Sequence, residues 1–382
     1  MGQPQFVHLH VHTDFSLLDG ACETSELLDE ASRQKMPAVA ITDHGNLFAA
    51  ANFFYEASKR DVKPIIGCEV YVAKGSRHDR GEKSTPVRTL GNGDQGETEP
   101  GARGSNHLVL LCENLEGYHN LIKLVSAGFL EGFYYKPRID YDLLAKHNKG
   151  LIALSACLRG PVTESVVEER FDQARENAYR LRDIFGKGNF FLEVQDQGLE
   201  IEKGVNRDLV RLSKETGIPL IATNDCHYLH HDDAHAQEVL LCIQTGKTLS
   251  DTHRMKFATD QFYFKSAEEM AKVFGELPDA LSRTVDVAAR CNVKIDRIPN
   301  ALPEFKVPEG HTPGSYFEQV ARAGFAQRVP YLQKLAKQGA LRHPLSEYEN
   351  RLSFEIEMIK KMHYEGYFLI VWDFIHYARA QE

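Results

Sequence analysis

Histidines and acids recur at the ends of apolar runs along this chain, and their types suit metal-ion chemistry. The N-terminal run FVHLHVHTDFSLLDG carries His8, His10, His12 and Asp19, ITDHGN carries Asp43 and His44, and GCEVYV carries Glu69. NHLVLL, LSAC and ATNDCHY add His107, Cys157, Asp225 and His227. Each of these side chains can ligate a metal, and no single local structural role calls for all of them. Histidine with carboxylate suits zinc, manganese or iron(II), and one cysteine fits that borderline-soft range better than magnesium. His10 and His12 lie two apart, so on an extended strand both imidazoles project from one face. His8 shares that parity and is expected to be a further ligand or a residue that orients one. Asp19 can return to the site from a turn, and Asp225 and His227 repeat the two-residue spacing. Several divalent ions in one pocket suit phosphate ester hydrolysis, because they bind phosphate oxygens, convert a bridging water to hydroxide and stabilise the leaving alkoxide. No nucleophilic side chain is then needed, and the sequence has no nucleophile elbow, phosphate-binding glycine loop or dinucleotide fingerprint.

A lone histidine is ordinarily a satisfied structural residue, and His78, His147, His253, His311 and His343 are read so. His119, His230, His231 and His235 are also read as non-ligands, the last three lying near enough to the NDCH turn to support it. For the whole constellation that reading is weak, because burying so many polar groups together without a metal costs heavily in desolvation.

These residues need elements that bring them to one place. Candidate strands are Gln5–Leu9, Ala38–Thr42, Lys63–Ala73, His107–Cys112, Leu151–Ser155, Phe190–Val194 and Pro219–Thr223. Amphipathic stretches alternate with them at Ser25–Gln34, Leu47–Lys59, Leu115–Ala127, Phe171–Phe185 and Lys203–Lys214, the first with Thr24 as its expected N-cap. Alternating strand and helix imply parallel strands with crossover helices, and ligands on most strands favour a closed or nearly closed barrel, whose strand ends converge on one face. The expected fold is therefore α/β, a distorted (βα)7 TIM-like barrel followed by a mainly helical segment. His107 conflicts with this, since it opens its apolar run; either its strand runs antiparallel to its neighbours or the strand boundaries lie elsewhere.

Lys74–Asn106 is polar and glycine-rich and reads as a mobile insertion in a surface loop. After about residue 245 the alternation gives way to helical segments at Ala267–Phe274, Pro278–Cys291, Tyr316–Val329 and Ser346–Met362, and a boundary is expected in that region. The closing run GYFLIVWDFIHYARAQE is a strongly apolar helix, expected to continue into a longer polypeptide that covers it.

At 382 residues the chain can bury a sizeable core, and none of its runs approaches the ~18 apolar residues of a membrane span. Seven scattered cysteines and the lack of a secretion signal make a reduced, cytoplasmic location the expectation. A formal charge of −9 excludes a generally basic nucleic-acid binder but not a nucleic-acid substrate, since divalent metals can supply the positive charge that phosphates need. Local basic candidates are Lys59, Arg60 and Lys63, or Lys136 and Arg138.

The motifs HxHT, SLLDG, TDHGN, GCE and NDCHY, in this order, resemble the polymerase-and-histidinol-phosphatase (PHP) family. With MPAVAITDHGNLFAA, KPIIGCEVYVA, TGKTLSD and GYFLIVWDFI, nearly the whole chain is similar to the N-terminal part of the bacterial DNA polymerase III alpha-subunit family. The resemblance implies a PHP barrel over residues 1–290 and the start of a polymerase core, thumb and palm entry, over 291–382, ending before the polymerisation site. It implies three divalent metal ions, Zn2+ and/or Mn2+ with Fe2+ or Mg2+ as alternatives, held by His10, His12, Asp19, His44, Glu69, His107, Cys157, Asp225 and His227. His12, Asp19 and Asp225 are the members expected to be catalytic as well. The position of Cys157 is histidine in many relatives, and none of the nine is lost here. An intact set implies a metal-dependent 3′–5′ exonuclease that proofreads DNA, with the primer 3′ end, the rest of the polymerase subunit, the sliding clamp and a separate proofreading subunit as partners. The alternatives are a scaffold that stabilises the polymerase and docks that proofreading subunit, and a phosphatase for small phosphomonoesters.

Overall fold

The computed structural model describes residues 5–80, 104–297 and 303–381, so most of the expected insertion at 74–106 lies outside it. The chain divides into two compact units, Met1–Ile295 and Asp296–Glu382.

The first unit carries strands β1 (Ala38–Ile41), β2 (Lys63–Ala73), β3 (Ser105–Cys112), β4 (Phe133–Tyr134), β5 (Lys136–Ile139), β6 (Leu151–Leu154), β7 (Phe190–Gln195) and β8 (Leu220–Thr223). Its helices are α1 (Thr24–Arg33), α2 (Ala50–Ala57), α3 (Leu115–Leu130), α4 (Tyr141–Lys146), α5 (Pro161–Val167), α6 (Phe171–Phe185), α7 (Glu200–Thr216), α8 (Ala234–Thr245), α9 (Ala267–Val273) and α10 (Pro278–Arg290). The strands form one curled sheet in the order β4-β5-β2-β3-β6-β7-β8, with β1 on β2. Its ends are joined through the extended segment 8–12. Ala40 N and Thr42 N donate to His8 O and Val11 O on one side, while His12 N and Cys226 N exchange bonds with Cys226 O and His10 O on the other. The result is a distorted α/β barrel followed by helices.

One expected strand changes. Gln5–Leu9 forms no ladder; the extended contacts lie over residues 8–12, as single bridges to two different neighbours. The α1 cap changes too: Glu23 is the N-cap and accepts from Glu26 N at 3.1 Å, while Thr24 is the first helical residue.

The conflict over His107 resolves in favour of a reversed strand. β3 is antiparallel to both β2 and β6, with Tyr71 opposite His107 and Cys112 opposite Leu151, whereas β1–β2, β6–β7 and β7–β8 are parallel. The first residues of β3 therefore stand at the end of the sheet where the other strands finish.

Strand periodicity sorts the side chains into layers. Val7, Leu9, Ile65, Val109, Leu111, Ile152, Phe191 and Ile221 share one buried cluster, floored by Val287 and Ala288 of α10. Alternate residues such as Ile66, Leu108, Leu110, Leu192 and Val194 pack outward with residues of α3 and α5–α7. Two residues further along the inward positions (four on β2), the apolar layer gives way to Glu69, His107, Glu193 and Thr223, all buried. Burying polar groups above an oil-like floor is unfavourable unless they are paired or ligated, which makes this layer the natural place for a centre.

The second unit holds α11 (Pro313–Lys337), α12 (Leu345–Lys361) and α13 (Glu365–Ala380), gathered on Phe317, Ile356 and Leu369. Helix α11 starts at a Thr312 cap and runs through Pro330, well past the expected Val329 end. A proline removes one backbone bond and kinks a helix without always ending it.

Candidate metal centre

All nine candidate ligands come to the end of the barrel where β3 begins, and they form one connected cluster. Glu69 sits at its middle. Its Oε2 lies 2.9 Å from His44 Nδ1, 3.3 Å from His12 Nε2 and 3.6 Å from His10 Nε2, and its Oε1 lies 2.9 Å from His107 Nδ1. Asp225 Oδ1 is 3.2 Å from both His10 Nε2 and His12 Nε2. Asp19 Oδ2 is 3.0 Å from His44 Nε2 and 3.7 Å from His227 Nε2. Cys157 is marginal, with Sγ 3.9 Å from His107 Nδ1. Three overlapping groups, His10–His12–Glu69, His12–His44–His227 and His44–Glu69–His107, each offer three ligand atoms within 4.8 Å of one another.

The backbone bends to deliver these groups. Leu18, Ala156 and Asp225 have φ of 61°, 61° and 49°, a left-handed conformation unusual without glycine, and each is a candidate ligand or the residue just before one. At Asp225 the bend is clamped from outside. Asn224 Nδ2 donates to Gln261 O and Tyr263 O at 3.0 and 2.8 Å, and Lys265 Nζ donates to Asn224 Oδ1 at 2.9 Å.

The ring orientations favour metal binding. His10 Nδ1 donates to Glu193 Oε1 at 2.7 Å, and His227 Nδ1 donates to Asp225 O at 2.8 Å. His12 Nδ1 donates to Ser16 Oγ at 3.0 Å, and Ser16 in turn donates to Asp43 Oδ1 at 2.8 Å. In each case the tied Nδ1 leaves the Nε2 lone pair facing the cluster. The ring nitrogens His10 Nε2 and His12 Nε2 stand only 3.2 Å apart. Asp19 Oδ1 is buried without a hydrogen-bond partner, and Asp225 Oδ1 and His44 Nδ1 are buried against other ligand-type atoms alone, at 3.2 and 2.9 Å. Ligand atoms at this density fit divalent ions that take their lone pairs.

Without ions the cluster compensates itself as alternating acids and imidazoles. Burial opposes the charge on His10, but Asp225, Glu193 and Glu69 outweigh it and raise its pKa. His44 is pushed up to about 10 in the same way, by Glu69 and Asp19 against burial. His227 is raised by Asp225 and Asp19 against burial. Against the same desolvation, the imidazoles hold Asp19, Glu69 and Asp225 below the usual carboxylate range. At His107 burial wins and its pKa is lowered.

Other expected residues fall elsewhere. His8 is fully buried but bonds Lys265 O at 2.8 Å, and burial drives its pKa down to about 4, so it is a neutral structural residue. Asp43 accepts from Thr13 and Ser16 and shapes the 13–16 turn. His231 and His235 face Asp260 and Glu238. Of the basic candidates, Lys59 and Arg60 pair with Glu56 and Asp29, and Lys63 donates to Ala288 O beneath the barrel. Arg138 is buried on Gly132 O and Asp79 O. Lys136 lies 5.4 Å over the Tyr71 ring, itself 5.9 Å from the His44 ring.

Two comparisons bear on this arrangement. Residues 8–197 match the PHP domain model, and residues 315–382 match the model described as bacterial DNA polymerase III alpha NTPase domain. DNA polymerase III subunit alpha of Treponema pallidum is 42% identical over 383 residues, covering 100% of this chain and 30% of its own length. The subunit of Borreliella burgdorferi is 42% identical over 99% of this chain and 31% of its own length. The chain is homologous to the N-terminal part of bacterial DNA polymerase III alpha subunits. It spans about 30% of the length of these relatives. No described helix is long and apolar enough to cross a membrane.

Within this PHP region the most consequential neighbour of the cluster, Glu193, carried no signal in the sequence, where FFLEVQ reads as an ordinary strand. Its side chain is buried, accepts from His10, Gln195 and Thr223, and keeps Oε2 without a partner. Removing the charge behind a ligating imidazole typically weakens metal binding about 10- to 100-fold. Glu193→Gln should therefore lower Mn2+ or Zn2+ affinity by that factor with the fold kept. Competition against a chromophoric chelator reads it, and an unchanged affinity would show that Glu193 does not tune His10.

Proposed function

We propose that this PHP region is a metal-dependent phosphodiesterase that removes nucleotides from the 3′ end of DNA, the proofreading activity of a replicative polymerase. The observation that carries the reading is the convergence of nine ligand-type side chains whose buried atoms face one another, with Asp19 Oδ1 left without a partner. His10, His12, Asp19, His44, Glu69, His107, Cys157, Asp225 and His227 would hold up to three ions. When bound, such ions neutralise phosphate oxygens, lower the pKa of a water and stabilise the leaving alkoxide.

The chain's own residues fix and shield that site. Glu193 and the Ser16–Asp43 pair hold the imidazoles of His10 and His12 in one tautomer. Phe257 and Phe262 pack edge-on against His227, with centroids 4.9 and 5.9 Å away, and close one wall to water. Asp19 enters from the 13–20 turn and is the ligand most readily removed without cutting a strand. The partners proposed are DNA, the remainder of the polymerase subunit and its replicase companions.

Elemental analysis and hydrolysis of a 3′-ended oligonucleotide test the reading together. The expected result is near three ions per chain, with cleavage that a chelator stops and that exceeds cleavage of a small phosphomonoester. A metal-loaded chain that cleaves neither substrate would overturn it in favour of a scaffold, and preference for the monoester would point to a phosphatase.

A further inference from the structure

The wall beside His44 carries a row of exposed aromatic rings. Phe48, Phe129 and Phe133 are 60%, 41% and 52% exposed. Their ring centres follow one another at 6.4 Å and 6.2 Å, the second pair with planes only 21° apart. Apolar rings left in water as a contiguous patch usually mark a binding surface.

The row is fastened to the metal centre. Phe48 follows His44 by four residues, which bounds their separation at about 14 Å. Asn46 Oδ1 accepts from Phe48 N at 3.0 Å, while its Nδ2 donates to His44 O at 3.0 Å and to Phe15 O at 2.9 Å. One side chain thus ties the ring, His44 and the turn that carries Asp19. On the other side the His44 loop lies hard against β5: a Cβ on Gly45 would stand 2.7 Å from Pro137 Cγ. Phe133 belongs to β4, which is paired with β5.

We infer that Phe48, Phe129 and Phe133 form a stacking platform for the bases of a single-stranded nucleic-acid end whose terminal phosphodiester enters the candidate metal centre. The inference rests on the phosphodiesterase reading above and assigns its substrate class. Charge favours this occupant's bases over its backbone as the source of affinity. The chain carries a net −9, Lys136 lies over the Tyr71 ring beside His44, and Arg80 lies over the Tyr134 ring next to Phe133. Few cations are thus placed to neutralise a backbone, whereas each base stacked on an aromatic ring strengthens binding by about tenfold or more regardless of sequence. An end frayed from its template presents such unpaired bases, and a paired end does not.

The test is the affinity of the Mn2+-loaded 382-residue chain for a fluorescent oligothymidylate with a hydrolysis-resistant 3′ phosphorothioate, read by anisotropy. Phe48→Ala and Phe129→Ala should each weaken Kd roughly tenfold. Phe48→Tyr should restore it, and Tyr331→Ala, an exposed ring in the second unit, should leave it unchanged. The salt dependence should be shallow, with a slope between about −0.7 and −1.4 for one or two phosphate contacts. Equal affinity of wild type and both alanine variants, no binding by wild type, or a steep salt slope would overturn the platform. So would intact binding with a change only in self-association. Hydrolysis of an unmodified oligonucleotide by wild type is scored separately, so a failure of the catalytic reading stays distinct from a failure of the platform.

Discussion

Replacing Glu69 by glutamine is expected to empty the metal centre. Glu69 is the one carboxylate whose two oxygens reach four histidines, His44, His12 and His10 from Oε2 and His107 from Oε1. It belongs to two of the three ligand groups, and the Asp19 and Asp225 carboxylates flank it without replacing it. An amide offers one neutral oxygen and a donor pair that points at imidazole lone pairs, so both charge and geometry fail. Bound metal should fall below one ion per chain, and hydrolysis should drop by on the order of a thousandfold or more, the upper range for losing one preorganised electrostatic group. The metal-free variant should also melt below metal-free wild type, because breaking a buried pair costs up to about 3–5 kcal/mol before the imidazoles deprotonate. Elemental analysis, initial rates and thermal melting check these in one preparation. A variant with wild-type metal content would remove Glu69 from the centre.

The stabilisation conferred by metal should grow with pH above 6.5. In the metal-free protein His10, His44 and His227 have raised pKa values, that of His44 to about 10 against an ordinary 6.5. Their pairing contributes stability that is fully present below 6.5 and is lost as pH climbs through the folded values. Asp19, Glu69 and Asp225 are shifted down, so their contribution is present above the ordinary carboxylate range and lost as pH falls through the folded values. The cluster without ions is thus most stable between roughly pH 4.5 and 6.5. Metal requires neutral imidazoles and displaces their protons, which removes the alkaline loss. His44, whose ring is 16% exposed and partly screened by solvent, accounts for on the order of 3 kcal/mol of the gap that opens toward pH 10. Melting temperatures with Mn2+ and with chelator at pH 6.5, 8 and 9 measure it. A gap that narrows with rising pH would mean the imidazoles are not the groups the metal takes.

Much of this site was legible before any coordinates, because ligand chemistry restricts residue type and strand ends restrict position. His10, His12, Glu69 and His107 announce themselves by type and by a parity that the barrel preserves. The direction of β3 stayed open, since a short apolar run reads the same both ways, and the position of His107 within it hinted at reversal. What was not legible depends on long-range geometry. Glu193 is an ordinary strand residue until His10 stands 2.7 Å away. His8 has the parity of a ligand, yet its ring is taken up by Lys265 O, a partner 257 residues away. The left-handed turns at Leu18, Ala156 and Asp225 need dihedral angles that these residue types do not advertise. The N-terminal strand was misplaced for a related reason: apolar alternation begins at Phe6, but hydrogen bonding begins where two different neighbours come within reach.

The reversal of β3 has a consequence for how this domain can vary. The β2–β3 pairing runs from Gly67–Leu111 to Ala73–Ser105, so the register is complete at the rim before the intervening chain departs. Closing a longer loop adds only about 0.6 kcal/mol per doubling of its length. The length of chain between Ala73 and Ser105 can therefore change at little cost to the β2–β3 register, while its first residues stay tied to the barrel through Arg77 on Asp140 and Asp79 O on Arg138.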